Sequence, residues 1–314
     1  FLACSLLQKY LICVMIQPPI LIPGDTIGIT CPAGSIPMEK VQNCILTLEK
    51  WGFKVKLGKT VGSKKDCFSA SDAERAAELQ QMLDDANIKA VLCGRGGYGL
   101  SRIIDQINFS GFNQNPKWVI GFSDITVLHA AIQKQNTMSI HGPMAAAFNK
   151  GAEGEIYIQS LKNILVGENE VIQAAPHSFN KQGSATANLI GGNLCMIAHL
   201  IGSKNAMDTK GKILFIEDVG EAHYNIDRLI IQCKNAGLLD NLAGLVIGGF
   251  TELKDNATDF GATAYEIIHA HISNFNYPVC FGFPISHALD NFAVKEGCVY
   301  ALEVTKEGSI LKTR

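Results

Sequence analysis

Trp118-Val119-Ile120-Gly121-Phe122-Ser123-Asp124-Ile125-Thr126 reads as a buried strand, a corner and the start of a helix. Trp118, Val119 and Ile120 suit a pleated, half-hidden surface. After the corner, Ile125, Leu128, Ala131 and Ile132 recur at helical spacing. A serine at such a turn stands clear of the sheet, and the helix N-terminus beneath it favours developing negative charge. Ser123 is therefore a candidate nucleophile. The more ordinary use of a serine here is to cap the helix, and this segment alone does not decide between the two.

Working outward, strand and helix alternate from Leu21 to about Leu128. Residues 25–30 predict a strand that ends in Cys31-Pro32-Ala33-Gly34-Ser35. A helix follows with Val41, Ile45, Leu48 and Trp51 on one face, closed by Gly52. Residues 53–57 form the next strand, and Ser71 with Glu74 makes a capping box for a helix through Leu83. A strand over 89–93 runs into Gly94-Arg95-Gly96-Gly97-Tyr98-Gly99, and a helix through Ile103 and Ile104 leads back to Trp118. Alternation with apolar strands implies a parallel sheet covered on both faces, whose functional groups gather at the carboxyl ends of the strands. The glycine loop and Ser123 both fall there.

The character changes after residue 148. Residues 15–150 read as one domain and 151–183, with a short helix and polar connections, as the passage to another. Residues 184–314 read as the second domain. Its expected parts are a strand over 187–190, a Gly191-Gly192-Asn193 loop, a strand over 212–216, a helix over 226–236, a strand over 242–247, a helix over 263–272 and strand-like segments to the end.

Composition narrows the possibilities. The 314 residues carry 27 Lys and Arg against 29 Asp and Glu, scattered along the chain, so no basic face for nucleic acid and no electrostatic membrane patch is expected. The ten cysteines include no CxxC pair and sit mostly in apolar runs, which suggests small buried hydrophobes in a reducing compartment. No Cys and His cluster has zinc spacing, so neither a metal nor another cofactor is expected. Residues 1–14 are apolar and lack the basic start and small-residue cleavage site of a signal peptide. Met15 looks like a natural start, so 1–14 are read as an upstream extension or an expression remnant, with a degenerate signal peptide as the lesser reading.

Three further stretches bear on chemistry. The glycine loop after residue 93 suits a phosphate site, an oxyanion hole or simply a tight turn. Ile213-Leu214-Phe215-Ile216-Glu217-Asp218-Val219-Gly220-Glu221 puts a carboxylate at the end of an apolar strand, where Glu217 needs a donor. Asp218 and Glu221 are rivals in the same loop, and Asp227 with Arg228 is a candidate ion pair. Gly282-Phe283-Pro284-Ile285-Ser286-His287-Ala288-Leu289-Asp290-Asn291 sets His287 in an irregular segment, where functional residues tend to lie. A serine needs a base, an imidazole can take and return its proton, and a carboxylate fixes the tautomer.

Read together, these segments resemble the LD-carboxypeptidases, serine peptidases that include the microcin C7 self-immunity peptidases. The likeness runs from about residue 20 to the C-terminus through Ile29-Thr30-Cys31-Pro32-Ala33-Gly34, Arg95-Gly96-Gly97-Tyr98-Gly99, Gly121-Phe122-Ser123-Asp124, His141-Gly142-Pro143, Gly191-Gly192-Asn193-Leu194, Phe215-Ile216-Glu217-Asp218, Ile226-Asp227-Arg228 and His287-Ala288-Leu289-Asp290-Asn291. It implies an α/β fold: a flavodoxin-like N-terminal domain, a smaller β-rich C-terminal domain and a site in the cleft between them. It implies Ser123 as nucleophile, Glu217 as acid, His287 as base, and the amides of Gly97 and Asp124 as the oxyanion hole.

The implied activity is hydrolysis of an L-to-D peptide bond, releasing terminal D-alanine from muropeptide tetrapeptides in cytoplasmic cell-wall recycling, by a homodimer. A carboxypeptidase also needs a partner for the substrate carboxylate; Arg95 and Arg228 are the candidates. The alternatives are a microcin-type peptidase acting on peptidyl-aminoacyl-nucleotides and a non-enzymatic binding protein on the same fold. The Arg95–Gly99 loop and the Glu217-Asp218 pair favour the muropeptide branch.

Overall fold

The structure, a computed structural model, describes residues 15–255 and 258–314. The expectations for residues 1–14 lie outside the described residues. The first half builds β1 (Thr26–Thr30), α1 (Gln42–Lys50), β2 (Lys54–Leu57), α2 (Asp72–Asp84), β3 (Ile88–Cys93), α3 (Ser110–Gln114), β4 (Trp118–Gly121), α4 (Thr126–Gln133) and β5 (Ser139–His141). Strands β2-β1-β3-β4-β5 pair in that order, all parallel. This is the flavodoxin-like order, in which ligands sit beyond the carboxyl ends of the strands where the winding reverses, here between β1 and β3. The predicted Ser71 and Glu74 capping box is formed, and Gly52 closes α1 at φ +92°.

The second half supplies α5 (Glu155–Leu165), β6 (Val171–Ala174), β7 (Gly183–Asn193), α6 (Leu194–His199), β8 (Ile213–Val219), α7 (His223–Asn235), β9 (Gly244–Thr251), α8 (Ala264–Ile272), β10 (Val279–Cys280), β11 (Val294–Glu296), β12 (Val299–Val304) and β13 (Ser309–Thr313). The second sheet runs β10-β9-β8-β7-β12-β13-β6. Its first four strands are parallel and the remainder antiparallel. Among the described residues no helix is long and apolar enough to cross a membrane.

Several expectations are corrected. No α-helix runs through Ile103 and Ile104; two 3-10 turns, Leu100–Arg102 and Ile104–Gln106, stand there. The segment leaves Gly99 at φ +132°, and the Asp124 carboxylate takes the Leu100 N–H at 2.8 Å. That anchors the chain in a tight turn before an α-helical ladder can start. Gly191, Gly192 and Asn193 end β7 rather than forming a loop. Residues 151–183 do more than connect: α5 buries Ile158, Leu161, Ile164 and Leu165, and β6 pairs with β13 at the sheet edge.

The least expected element is β11. It leaves the second half of the chain and pairs antiparallel with β5, adding a sixth strand to the first sheet. Each of the two hydrophobic cores likewise draws on both halves; Val119 and Ile125 share one with Leu214 and Ile247. The two halves of the chain are thus locked together by strand pairing and apolar burial.

Candidate active site

The loops that meet at the switch point are tied to each other: Gly34 N–H donates to Gly96 C=O at 2.8 Å. Gly94, Gly96 and Gly99 do have the spacing of a dinucleotide fingerprint. However, the loop opens a 3-10 turn, not a helix of the length whose N-terminus takes a pyrophosphate. The bond to Gly34 fixes the Gly96–Gly97 peptide plane, and a trans peptide then turns the Gly97 N–H to the opposite edge.

Ser123 does not cap a helix. Phe122 is extended (φ −154°, ψ −173°), no side-chain cap bond is made, and Ser123 opens the 3-10 turn Ser123–Ile125 that leads into α4. Its φ is +65°, a left-handed conformation that costs a non-glycine residue roughly 1–3 kcal/mol unless its surroundings hold it. Here they do. Gly121 C=O accepts from His129 Nε2 at 2.9 Å and from Gly142 N–H at 3.2 Å. Thr126 Oγ1 accepts from Asn193 N–H at 3.1 Å, so the second half clamps the start of α4. The N–H of Asp124, in the first turn, has no intrahelical acceptor by position. Burial pushes the Asp124 carboxyl up to about 6, against the pull of its bond from Leu100.

Gly96 makes room for the corner. A Cβ there would lie 2.8 Å from Ser123 Cβ and 3.2 Å from Phe122 O. Gly96→Ala is therefore expected to displace Ser123 and lower activity about 10²-fold, the usual effect of a misplacement near 1 Å. Because the clash is local, Tm should move by only a few degrees. Kinetics beside a thermal melt check this; unchanged turnover would show that the corner has slack.

Glu217 and His287, which the resemblance implies as acid and base, both stand in the second half and are brought together there. His287 Nδ1 lies 2.5 Å from Glu217 Oε2. When Nδ1 donates in this bond, the neutral imidazole keeps its lone pair on Nε2. That Nε2 is buried and has no hydrogen-bond partner. The Glu217 side chain is fully buried and that of His287 is 13% exposed. Burial works against the imidazolium, but the bond and charge of Glu217 outweigh it and raise the His287 pKa above the ordinary value. The rivals are occupied elsewhere. Asp218 accepts from Asn193 Nδ2 (2.7 Å) and from the N–H groups of Cys195 (2.9 Å) and Val219 (2.8 Å). Glu221 accepts from Asn225.

A β-bulge aims Glu217. Ile216 faces Ile247 and Asp218 faces Phe250, so Gly248 and Gly249 together stand opposite the single residue Glu217. Both glycines are required. A Cβ on Gly248 would lie 2.2 Å from Ile285 O, and one on Gly249 would lie 2.4 Å from Ser286 Cβ. Their bareness lets the His287 loop lie on β9, pinned by Gly249 N–H to Ile285 C=O at 2.9 Å. Sequence reading passed over this pair, although two glycines inside an apolar strand signal a bulge or a close approach. It also passed over Phe122, whose ring stands edge-on to His287 with centroids 4.8 Å apart.

Ser123, His287, Gly97 and Arg95 line one cavity of about 430 Å³. Arg95 is exposed, with Nη1 donating to Ser35 C=O at 2.9 Å. Arg228 is not brought to this cavity: it lies on α7, its guanidinium 5.2 Å from the Tyr224 ring. Nor does it pair with Asp227, which meets His271 Nε2 at 2.7 Å.

A hydroxyl on a strained strand-to-helix corner, lining one cavity with an unpartnered imidazole nitrogen backed by a buried carboxylate, is the arrangement of a serine-type hydrolase, and the fold with this cleft is that of a serine peptidase. The chain belongs to the LD-carboxypeptidase family: the profile of the LD-carboxypeptidase N-terminal domain matches residues 27–142, and that of the C-terminal domain residues 186–302. It is 33% identical over 301 residues to a probable murein peptide carboxypeptidase of Bacillus subtilis, covering 94% of each chain. The crystal structure of muramoyltetrapeptide carboxypeptidase from Oxalobacter formigenes superposes with a TM-score of 0.83 at 27% identity, covering 92% of this chain and 98% of that one. The microcin C7 self-immunity protein of Escherichia coli is 25% identical over 89% of this chain and 91% of its own.

Proposed function

We propose that the protein releases the terminal D-alanine of muropeptide tetrapeptides by hydrolysing an L-to-D peptide bond, with Ser123, His287 and Glu217 as its catalytic triad. The observation that carries this is the unpartnered Nε2 of His287, whose ring is held by a buried Glu217 in the cavity that Ser123 lines. His287 Nε2 takes the Ser123 proton as Oγ adds to the carbonyl before D-alanine. The amides of Gly97 and Asp124 receive the oxyanion. The tetrahedral adduct collapses, His287 protonates the leaving amine, and an acyl-enzyme remains. Water, deprotonated by His287, then hydrolyses that ester and restores Ser123. Arg95, one residue from the Gly96 contact with Ser123, takes the terminal carboxylate. Family resemblance carries the remaining parts: a homodimer acting in cytoplasmic recycling, to be checked by sedimentation and cell fractionation.

The test is incubation with a disaccharide tetrapeptide. One D-alanine should be lost with the wild-type protein and none with Ser123→Ala. An intact tetrapeptide alongside cleavage of a peptidyl-aminoacyl-nucleotide would move the chain to the microcin branch, and tight binding without cleavage of either would make it a binding protein.

The pH profile follows from the raised His287 pKa. The free base does the work, so kcat/KM should climb as pH rises through that value. The acid limb is expected above 6.5, the ordinary imidazole value. A limb below that value would count against the Glu217–His287 pair.

A further inference from the structure

A buried acid behind the Ser123 corner takes no part in the mechanism above. Glu296 ends β11, and its side chain is wholly hidden from solvent. Gln133 Nε2 donates to its Oε2 at 2.6 Å, and Gly191 N–H of β7 also donates to the carboxyl. Its Oε1 has no hydrogen-bond partner. Among the described residues no Lys or Arg pairs with it. The groups that face it are Gln133 and His129 of α4, the Gly191 amide, and Ser139 of β5 directly opposite, with His141 two residues along on the same face. Its neighbour Lys295 belongs to the other face of the strand. His129, Ser139 and His141 are all fully buried.

Burial without a counter-charge pushes the Glu296 carboxyl up to about 8, against the bonds from Gly191 and Gln133. Burial likewise pulls His129 down to about 4, against its bond to Gly121. Both are therefore uncharged at neutral pH. The Gly121 carbonyl can only accept, so His129 carries its proton on Nε2 and donates it there at 2.9 Å. The same Nε2 lies 3.8 Å from Glu296 Oε1, beyond bonding distance. Loss of the Glu296 proton changes this balance. A buried carboxylate oxygen without a donor is costly, and a charge-assisted bond is about twice as strong as a neutral one. Among the described residues His129 is the one group within ion-pair distance of that oxygen.

We infer that Glu296 and His129 are positioning residues for the nucleophile: the neutral acid leaves the His129 N–H on Gly121 C=O, and the ionised acid draws it away. Gly121 stands two residues before Ser123 and would then keep only the bond from Gly142 N–H at 3.2 Å. The corner that holds Ser123 at φ +65° relaxes, and the hydroxyl leaves its reactive position. The inference rests on the peptidase reading for its kinetic consequence and adds to it a control on the corner from the far side of the sheet.

The test is a pH profile of tetrapeptide cleavage beside hydrogen exchange at the corner. Besides its acid limb, the wild type should show an alkaline limb in kcat/KM near pH 8. About tenfold should be lost by about pH 9.5, part of the roughly 10²-fold that a misplacement near 1 Å costs. Glu296→Gln is the conservative variant: its amide oxygen can keep the bonds from Gln133 and Gly191, and it cannot ionise. It should cleave at neutral pH and lack the alkaline limb, whereas any titration of the substrate itself persists in both proteins. His129→Phe, with no N–H for Gly121, should turn over about tenfold more slowly across the whole profile with KM little changed. Exchange reads the corner without turnover. The amides of residues 121–126, corrected for their intrinsic rates, should lose protection between neutral and about pH 9.5 in the wild type and keep it in Glu296→Gln. That exchange pattern without cleavage by either protein would overturn the peptidase reading and leave the positioning role standing. Cleavage with no alkaline limb, a limb that persists in Glu296→Gln, or protection that does not change with pH would overturn the positioning role and leave the peptidase reading intact.

Discussion

Ser123→Ala is expected to lower kcat by roughly 10⁶-fold, the scale on which a triad nucleophile is lost, while tetrapeptide still binds. The expected profile is a collapse in turnover with little change in Kd, read by single-turnover assay and calorimetry. Stability should behave in an unusual way. Ser123 sits at φ +65°, which glycine accepts without the Cβ penalty. Ser123→Gly should therefore be as inactive as Ser123→Ala yet more stable than wild type by about 1 kcal/mol. Urea denaturation decides it. A Ser123→Gly protein no more stable than Ser123→Ala would mean that the corner is unstrained and that its geometry has another origin.

Glu217→Gln is expected to lower kcat by about 10⁴-fold, as when a triad acid becomes an amide. The amide can turn its NH₂ to His287 Nδ1, which moves the imidazole proton to Nε2 and blocks it as a base. The variant has a second signature. Without the carboxylate, the burial that opposes the imidazolium is no longer outweighed. The His287 pKa should fall, and the acid limb of the residual activity should move to lower pH. A loss of rate with an unmoved limb would show that Glu217 orients His287 without setting its charge.

Much of this site could be read from the chain because its parts are local. The strand at Trp118, the capping box at Ser71 and the apolar run into Glu217 each state their geometry in a few consecutive residues. The family signature joins Ser123, Glu217 and His287 across 164 positions that periodicity alone does not connect. What stayed hidden depends on long-range contact. The left-handed φ of Ser123 is held by bonds from His129 and Gly142 to Gly121 and from Asn193 to Thr126, all distant in sequence or made only in the folded chain. The Gly248-Gly249 bulge has meaning only once β8 lies beside it. The tight turns after Gly99 arise because Asp124, 24 residues on, captures Leu100 N–H. Arg228 lies near a motif in the sequence, but α7 carries it away from the cavity.

Strand β11 has a consequence for the birth of the protein. It follows the His287 loop by only a few residues and pairs with β5, with Val294 opposite His141. During synthesis the first sheet would therefore emerge with β5 as an open edge, and that edge stays open until residues 294–296 leave the ribosome. Unpaired edges invite association with other chains. His287 lies only seven residues before Val294, so it too is among the last parts of the site to be made. A chain truncated before residue 294 should aggregate as well as lack activity, and a ribosome-bound nascent peptidase should be unable to cut anything until residues 294–296 have been made.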